Sequence, residues 1–98
     1  IKAGINISPS QIDELLQTHP SVKEVATVGK PDPYLGEIIK SFIILIENST
    51  VDKKELLLFC KAELGDFKTP SEIEFVESLP LGPSGKILKR ELREKIVS

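Results

Sequence analysis

Methionine and tryptophan are absent from these 98 residues, and histidine, cysteine and tyrosine occur once each. The lone cysteine, Cys60, has no internal partner, which excludes a disulfide-stapled scaffold and suits a reducing, cytoplasmic setting. The lone histidine, His19, has no cysteine or acidic residue at ligand spacing, so no metal site is expected. It stands in a Thr-His-Pro turn, and Cys60 stands on an apolar helical stripe, so both read as structural. No apolar run approaches a membrane span, and the first residues lack a signal-peptide pattern. The net charge is only −2 and the pI near 5.4, which argues against a nucleic-acid or membrane-surface binder. Methionine is missing at position 1 as well, and the expectation is therefore a piece of a larger protein.

The apolar content of 40% is enough for one small domain with a modest core. Ile1 to Ile7 alternates loosely around Gly4 and predicts a short strand or hairpin arm. Ser8-Pro9-Ser10-Gln11 predicts a helix start: Ser8 as cap, Pro9 at the first helical position, Gln11 completing a capping box. Asp13 and Glu14 are assigned to the first turn, Ile12, Leu15 and Leu16 to the buried stripe. The helix should stop near Thr18, since Pro20 cannot continue it. Val22 to Val28 predicts a strand, Gly29 to Pro33 a loop. Ile38 to Ile46 is a nearly continuous apolar run, as in a central strand covered on both faces. Asp52 with Glu55 opens a second helix with Leu56, Leu57 and Cys60 inward, closed by Gly65. Ile73, Phe75 and Val76 mark a short strand with Glu72 and Glu74 facing water. The fold class is α+β: a small sheet of about three strands flanked by helices, preceded by a short β-hairpin arm.

Leu79-Pro80-Leu81-Gly82-Pro83-Ser84-Gly85-Lys86-Ile87-Leu88-Lys89-Arg90-Glu91-Leu92 is the most specific stretch. Two prolines and two glycines within Pro80 to Gly85 make a loop. Leu88, Leu92 and Ile96 recur at helical spacing, so Lys86 is expected where the loop passes into a helix. From Leu79 onward five Lys and Arg face two Glu, a charge of +3 against −5 for the remainder. Loop amides, a helix end and the Lys86 ammonium would together attract an anion; a solvated surface lysine is the plainer reading. A Walker phosphate loop is excluded, because Pro80 stands where its first glycine belongs and Ile87 replaces the Ser/Thr. A serine nucleophile elbow is excluded too, since Gly82-Pro83-Ser84-Gly85 lacks G-x-S-x-G. The chain has no complete catalytic set of its own.

The stretch from Leu79 to Leu92 closely resembles the C-terminal lysine motif of the superfamily of AMP-forming acyl-CoA synthetases, luciferases and peptide-synthetase adenylation domains. Three further pieces agree in order. Ile1 to Asp13 resembles the segment after that family's domain hinge, with Gln11 and Asp13 each replacing a glutamate. Pro31-Asp32-Pro33-Tyr34-Leu35-Gly36-Glu37 resembles its P-D-x-x-x-G-E loop. Phe67-Lys68-Thr69-Pro70, followed by Phe75-Val76, resembles the approach to the lysine loop.

The resemblance implies the mobile C-terminal lid domain of an ATP-dependent acyl-CoA synthetase, inactive alone, whose large N-terminal ATP- and acid-binding domain lies outside this chain. It makes Lys86 the catalytic adenylation lysine, on a loop with Ser84 and Gly85. It makes Lys2, Ala3, Gly4, Ile5 and Asn6 the strand lining a tunnel for the thiol of coenzyme A. ATP, its Mg2+ and coenzyme A belong to the full-length enzyme, with a carboxylic acid as substrate. Lysine acetyltransferase and deacetylase acting on Lys86 are further implied partners. The alternatives are an adenylation domain that loads a carrier-protein thiol, or a stand-alone regulatory or binding module of the same fold.

Overall fold

The computed structural model describes residues 8–34, 36–65 and 70–95. The expected hairpin arm at residues 1–7 lies outside them. In chain order the elements are helix α1 (Pro9–Gln17), strand β1 (Val22–Asp32), strand β2 (Gly36–Leu45), helix α2 (Lys53–Leu64), strand β3 (Glu72–Phe75) and helix α3 (Lys89–Arg93).

The sheet has three strands in the order β1-β2-β3. β1 and β2 form an antiparallel hairpin, and β3 runs parallel to β2. A parallel neighbour cannot be reached by a tight turn; the crossover here contains α2. β2 is therefore central, as its apolar run predicts, and alternate side chains serve opposite faces. Ile39 and Ile43 join Ile12, Leu16, Val25, Leu56, Cys60 and Ile73 in one buried cluster under α1 and α2. Phe42 joins Ala26, Val28, Leu79 and Leu92 in a second cluster on the other face. The two flanks of the lysine stretch, Leu79 and Leu92, thus close the back of the sheet. Within the sheet the cross-strand pair Thr27 and Ser41 is fully buried. Their hydroxyls bond to each other at 2.7 Å, so neither is left unsatisfied.

Three local expectations are corrected. Residues 29 to 32 are strand, not loop: β1 continues to Asp32, with Pro31 opposite Glu37. β1 is an edge strand, which tolerates proline because only one of its sides must donate to a ladder. The turn is pushed to its far end, where the Asp32 carboxylate accepts the Tyr34 N–H at 2.9 Å. The capping box at α1 does not form. Ser8 is the N-cap, but only its carbonyl is engaged, accepting from Gln11 and Ile12. Asp13 and Glu14 lie beyond the first turn, which contains no acidic residue. At α2 the prediction holds: the Asp52 carboxylate accepts the Glu55 N–H at 2.8 Å, and Gly65 closes the helix.

Candidate functional site: a sealed hairpin carrying Lys86

Leu79 and Leu92 are driven into the second core cluster, so the chain between them must leave the sheet and return. It does so as a small hairpin. Leu81 pairs with Ile87 in an antiparallel bridge. The Leu88 N–H donates to the Pro80 carbonyl at 2.9 Å, closing the base. Further out, the Gly82 N–H donates to the Lys86 carbonyl at 2.8 Å, and the Gly85 N–H returns to the Gly82 carbonyl at 2.9 Å. Gly82-Pro83-Ser84-Gly85 is therefore the tip turn, with proline at the position where its fixed φ suits a turn.

Glycine is required at position 85 by conformation. Its φ is +86°, in the left-handed region, although nothing would touch an added Cβ. At Gly82 an added Cβ would stand 3.0 Å from the Leu88 side chain, which would have to give by a few tenths of an ångström. Ser84, Gly85 and Lys86 are all exposed. Among the described residues, no side chain pairs with the Lys86 ammonium.

This geometry changes one part of the expected anion cradle, the helix end. α3 begins at Lys89, and Ile87 and Leu88 intervene as the returning arm of the hairpin. The helix end and Lys86 are thus not adjacent. The amides of Gly82, Gly85 and Leu88 are spent inside the loop. What the loop offers an anion is the exposed Lys86 ammonium on a hydrogen-bonded hairpin.

Two residues to which the sequence alone assigns no part in the site brace its base. Lys89 Nζ donates to Asp13 Oδ2 at 2.7 Å. The other oxygen, Asp13 Oδ1, accepts the Thr27 N–H at 2.7 Å. One carboxylate thus joins α1, the edge strand β1 and the residue just past the hairpin. No local signal could have found this pair, because its members are 76 positions apart.

The other titratable candidates are structural, as expected. His19 Nδ1 accepts the Ser21 N–H at 3.1 Å, and its ring meets Phe59 edge-on at 4.9 Å. Cys60 is buried, and burial pushes its thiol up to about 11. Among the described residues no three His, Cys, Asp or Glu side chains converge as a metal site. Lys2, Ala3, Gly4, Ile5 and Asn6, expected to line a thiol tunnel, lie outside the described residues.

The model of the family described as the AMP-binding enzyme C-terminal domain matches residues 11–86. A sulfoacetate–CoA ligase of Cupriavidus necator is 46% identical over 94% of this chain and 18% of its own length. A fatty acid–[acyl-carrier-protein] ligase of Streptomyces coeruleorubidus is 40% identical over 95% of this chain and 18% of its own. Among solved structures, the amide bond synthetase McbA of Marinactinospora thermotolerans superposes with a TM-score of 0.89. It is 30% identical, and the match covers 97% of this chain and 20% of that one. The chain thus spans about a fifth of the relatives it matches.

Proposed function

The chain belongs to the family of AMP-binding enzyme C-terminal domains, and from that premise we propose that it is the closing domain of an ATP-dependent, AMP-forming acid–thiol ligase. The large domain that binds ATP and the carboxylic acid lies elsewhere in the full-length enzyme. The single observation that carries the assignment is Lys86, an exposed ammonium with no side-chain partner among the described residues, on a self-sealed hairpin whose sequence resembles the family's adenylation-lysine motif.

The first half-reaction joins the substrate carboxylate to the α-phosphorus of ATP and expels pyrophosphate. Negative charge gathers on the oxygens around that phosphorus as the bond forms. A lysine lying between carboxylate and phosphate oxygens orients the attack and stabilises the charge. The hairpin suits this task because its own hydrogen bonds hold the backbone while the side chain projects free. Magnesium accompanying ATP would be held, with the nucleotide, by the large domain. In the second half-reaction a thiol attacks the acyl carbon and AMP departs. Rotation of the domain withdraws Lys86 and presents residues 2–6 to the incoming thiol.

Coenzyme A is the acceptor in this reading, by analogy with the sulfoacetate–CoA ligase. A carrier-protein thiol is the second reading, which the acyl-carrier-protein ligase favours. Among the described residues no helix is long and apolar enough to cross a membrane, and we place the enzyme in the cytoplasm, where the unpaired Cys60 thiol stays reduced. Exposure of Lys86 also suits reversible acetylation, which would remove the charge that adenylation uses.

The deciding experiment is Lys86→Ala in the full-length enzyme. ATP–pyrophosphate exchange should fall by roughly 10²–10³-fold, while thioester formation from supplied acyl-adenylate persists. An unchanged exchange rate would sink the assignment.

A further inference from the structure

We propose that Asp13 is a positioning residue for adenylation, acting through Lys89 to hold the hairpin that carries Lys86. The inference rests on the role proposed above for Lys86 and adds residues that the role does not include. Its observations are the two bonds of one carboxylate: Oδ2 to Lys89 Nζ at 2.7 Å and Oδ1 to the Thr27 N–H at 2.7 Å.

A two-armed hairpin with no third strand is marginally stable by itself. Its internal bonds fix its shape but not its direction from the domain. Direction is set where it joins the core. On one side Leu79 is buried directly before the loop. On the other, Ile87 of the returning arm packs partly buried against the same cluster, and the next fully buried side chain is Leu92. Lys89 adds a polar tie between these two apolar anchors, one residue past the closing bond at Leu88. Its partner does not swing, because Asp13 is held at its second oxygen by a backbone amide of the edge strand. Both side chains are mostly covered, at 21% exposure for Asp13 and 32% for Lys89, so the pair is less screened than a surface contact. The result is a rigid strut from α1 and β1 to the base of the lysine hairpin.

Such a strut contributes little to global stability, since a single, partly exposed ion pair is weak. It matters for adenylation because the Lys86 ammonium must arrive at a defined point. It has no bearing on thioester formation, in which Lys86 takes no part.

The test compares Asp13→Asn, Lys89→Met, Lys89→Arg, the Asp13→Asn/Lys89→Met double variant and Lys86→Ala in the full-length enzyme. In Asp13→Asn the side-chain amide oxygen would still accept from Thr27, but the charged partner of Lys89 would be lost. Displacing a reacting group by about 1 Å costs up to roughly 100-fold, so kcat for pyrophosphate exchange should fall about 10- to 100-fold in Asp13→Asn. KM for ATP and acid should hold, as should transfer from supplied acyl-adenylate. Lys89→Met should lose as much, the double variant no more than either single, and Lys89→Arg should recover most of the rate. If Asp13→Asn fails to fold, Lys89→Met carries the comparison. Equal losses in both half-reactions, or additive losses in the double variant, overturn the inference. A crippled Lys86→Ala beside an undisturbed Asp13→Asn overturns this inference alone. An unchanged Lys86→Ala overturns the assigned role of Lys86 and the strut with it.

Discussion

Cys60 is a residue whose chemistry is switched off by its position. It lies fully buried on the inner face of α2, and desolvation raises its pKa from 9.0 to about 11. The thiolate is the reactive form, so Cys60 should stay silent to a thiol reagent at pH 8 and react only as denaturant unfolds the chain. Rapid labelling of the native protein would contradict its placement. The same shift makes stability depend on pH. The folded state holds the proton more tightly than the unfolded one, so the contribution is complete below the unfolded value near 9.0 and is lost as pH rises through about 11. Urea titrations across that window should show a steeper fall for the parent than for Cys60→Ala. Glu74 shows the opposite, weaker case. A hydrogen bond from Lys40 at 2.8 Å holds its carboxyl below the usual range. Its contribution is present at neutral pH and lost as pH falls through the lowered value, and solvent limits it to less than about 1 kcal/mol.

At the scale of elements, α2 is the piece most completely written in local sequence. Asp52 caps it through the Glu55 amide, Glu55 lies in its first turn, Lys61 in its last, and Gly65 ends it. Asp52→Ala should therefore cost about 1 kcal/mol, which in a domain of this size lowers Tm by about 4–8 °C. A calorimetric Tm equal to the parent's would mean that the cap is redundant. α1 is different. Its N-terminus relies on Pro9 and on packing of Ile12 and Leu16, without a side-chain cap. β3 is short and gains its place from pairing with β2 and from Lys40 of the neighbouring strand reaching Glu74.

At the scale of the molecule, one sheet separates two apolar cores, each built from buried apolar side chains. The 98 residues alone should therefore show a single cooperative melt by circular dichroism, unchanged by chelator or reductant. They should also fail to bind ATP at micromolar concentration, because an exposed lysine on a hairpin gives an anion little beyond screened surface attraction. Calorimetry showing such binding would contradict the view that the nucleotide site belongs to another part of the enzyme.

Local chemistry alone determined much of this protein. The apolar run of β2, the cap and stop of α2, the alternation of β3 and the proline–glycine punctuation around Lys86 are all signals within a few residues, and the described structure follows each of them. Tertiary structure decided what those signals underdetermine. Glycine and two prolines made residues 29–33 look like a loop, but long-range pairing with β2 draws most of them into a strand. Helical spacing brought α3 up to Lys86, but the bridge from Leu81 to Ile87 claims the intervening residues for a hairpin. Asp13 looked like a first-turn acid serving its own helix, and only the packing of α1 across β1 and beside Lys89 reveals its two partners. In each case a contact remote in sequence outcompetes a weak local preference, because backbone pairing and a satisfied charge outweigh the few tenths of a kcal/mol that such preferences carry.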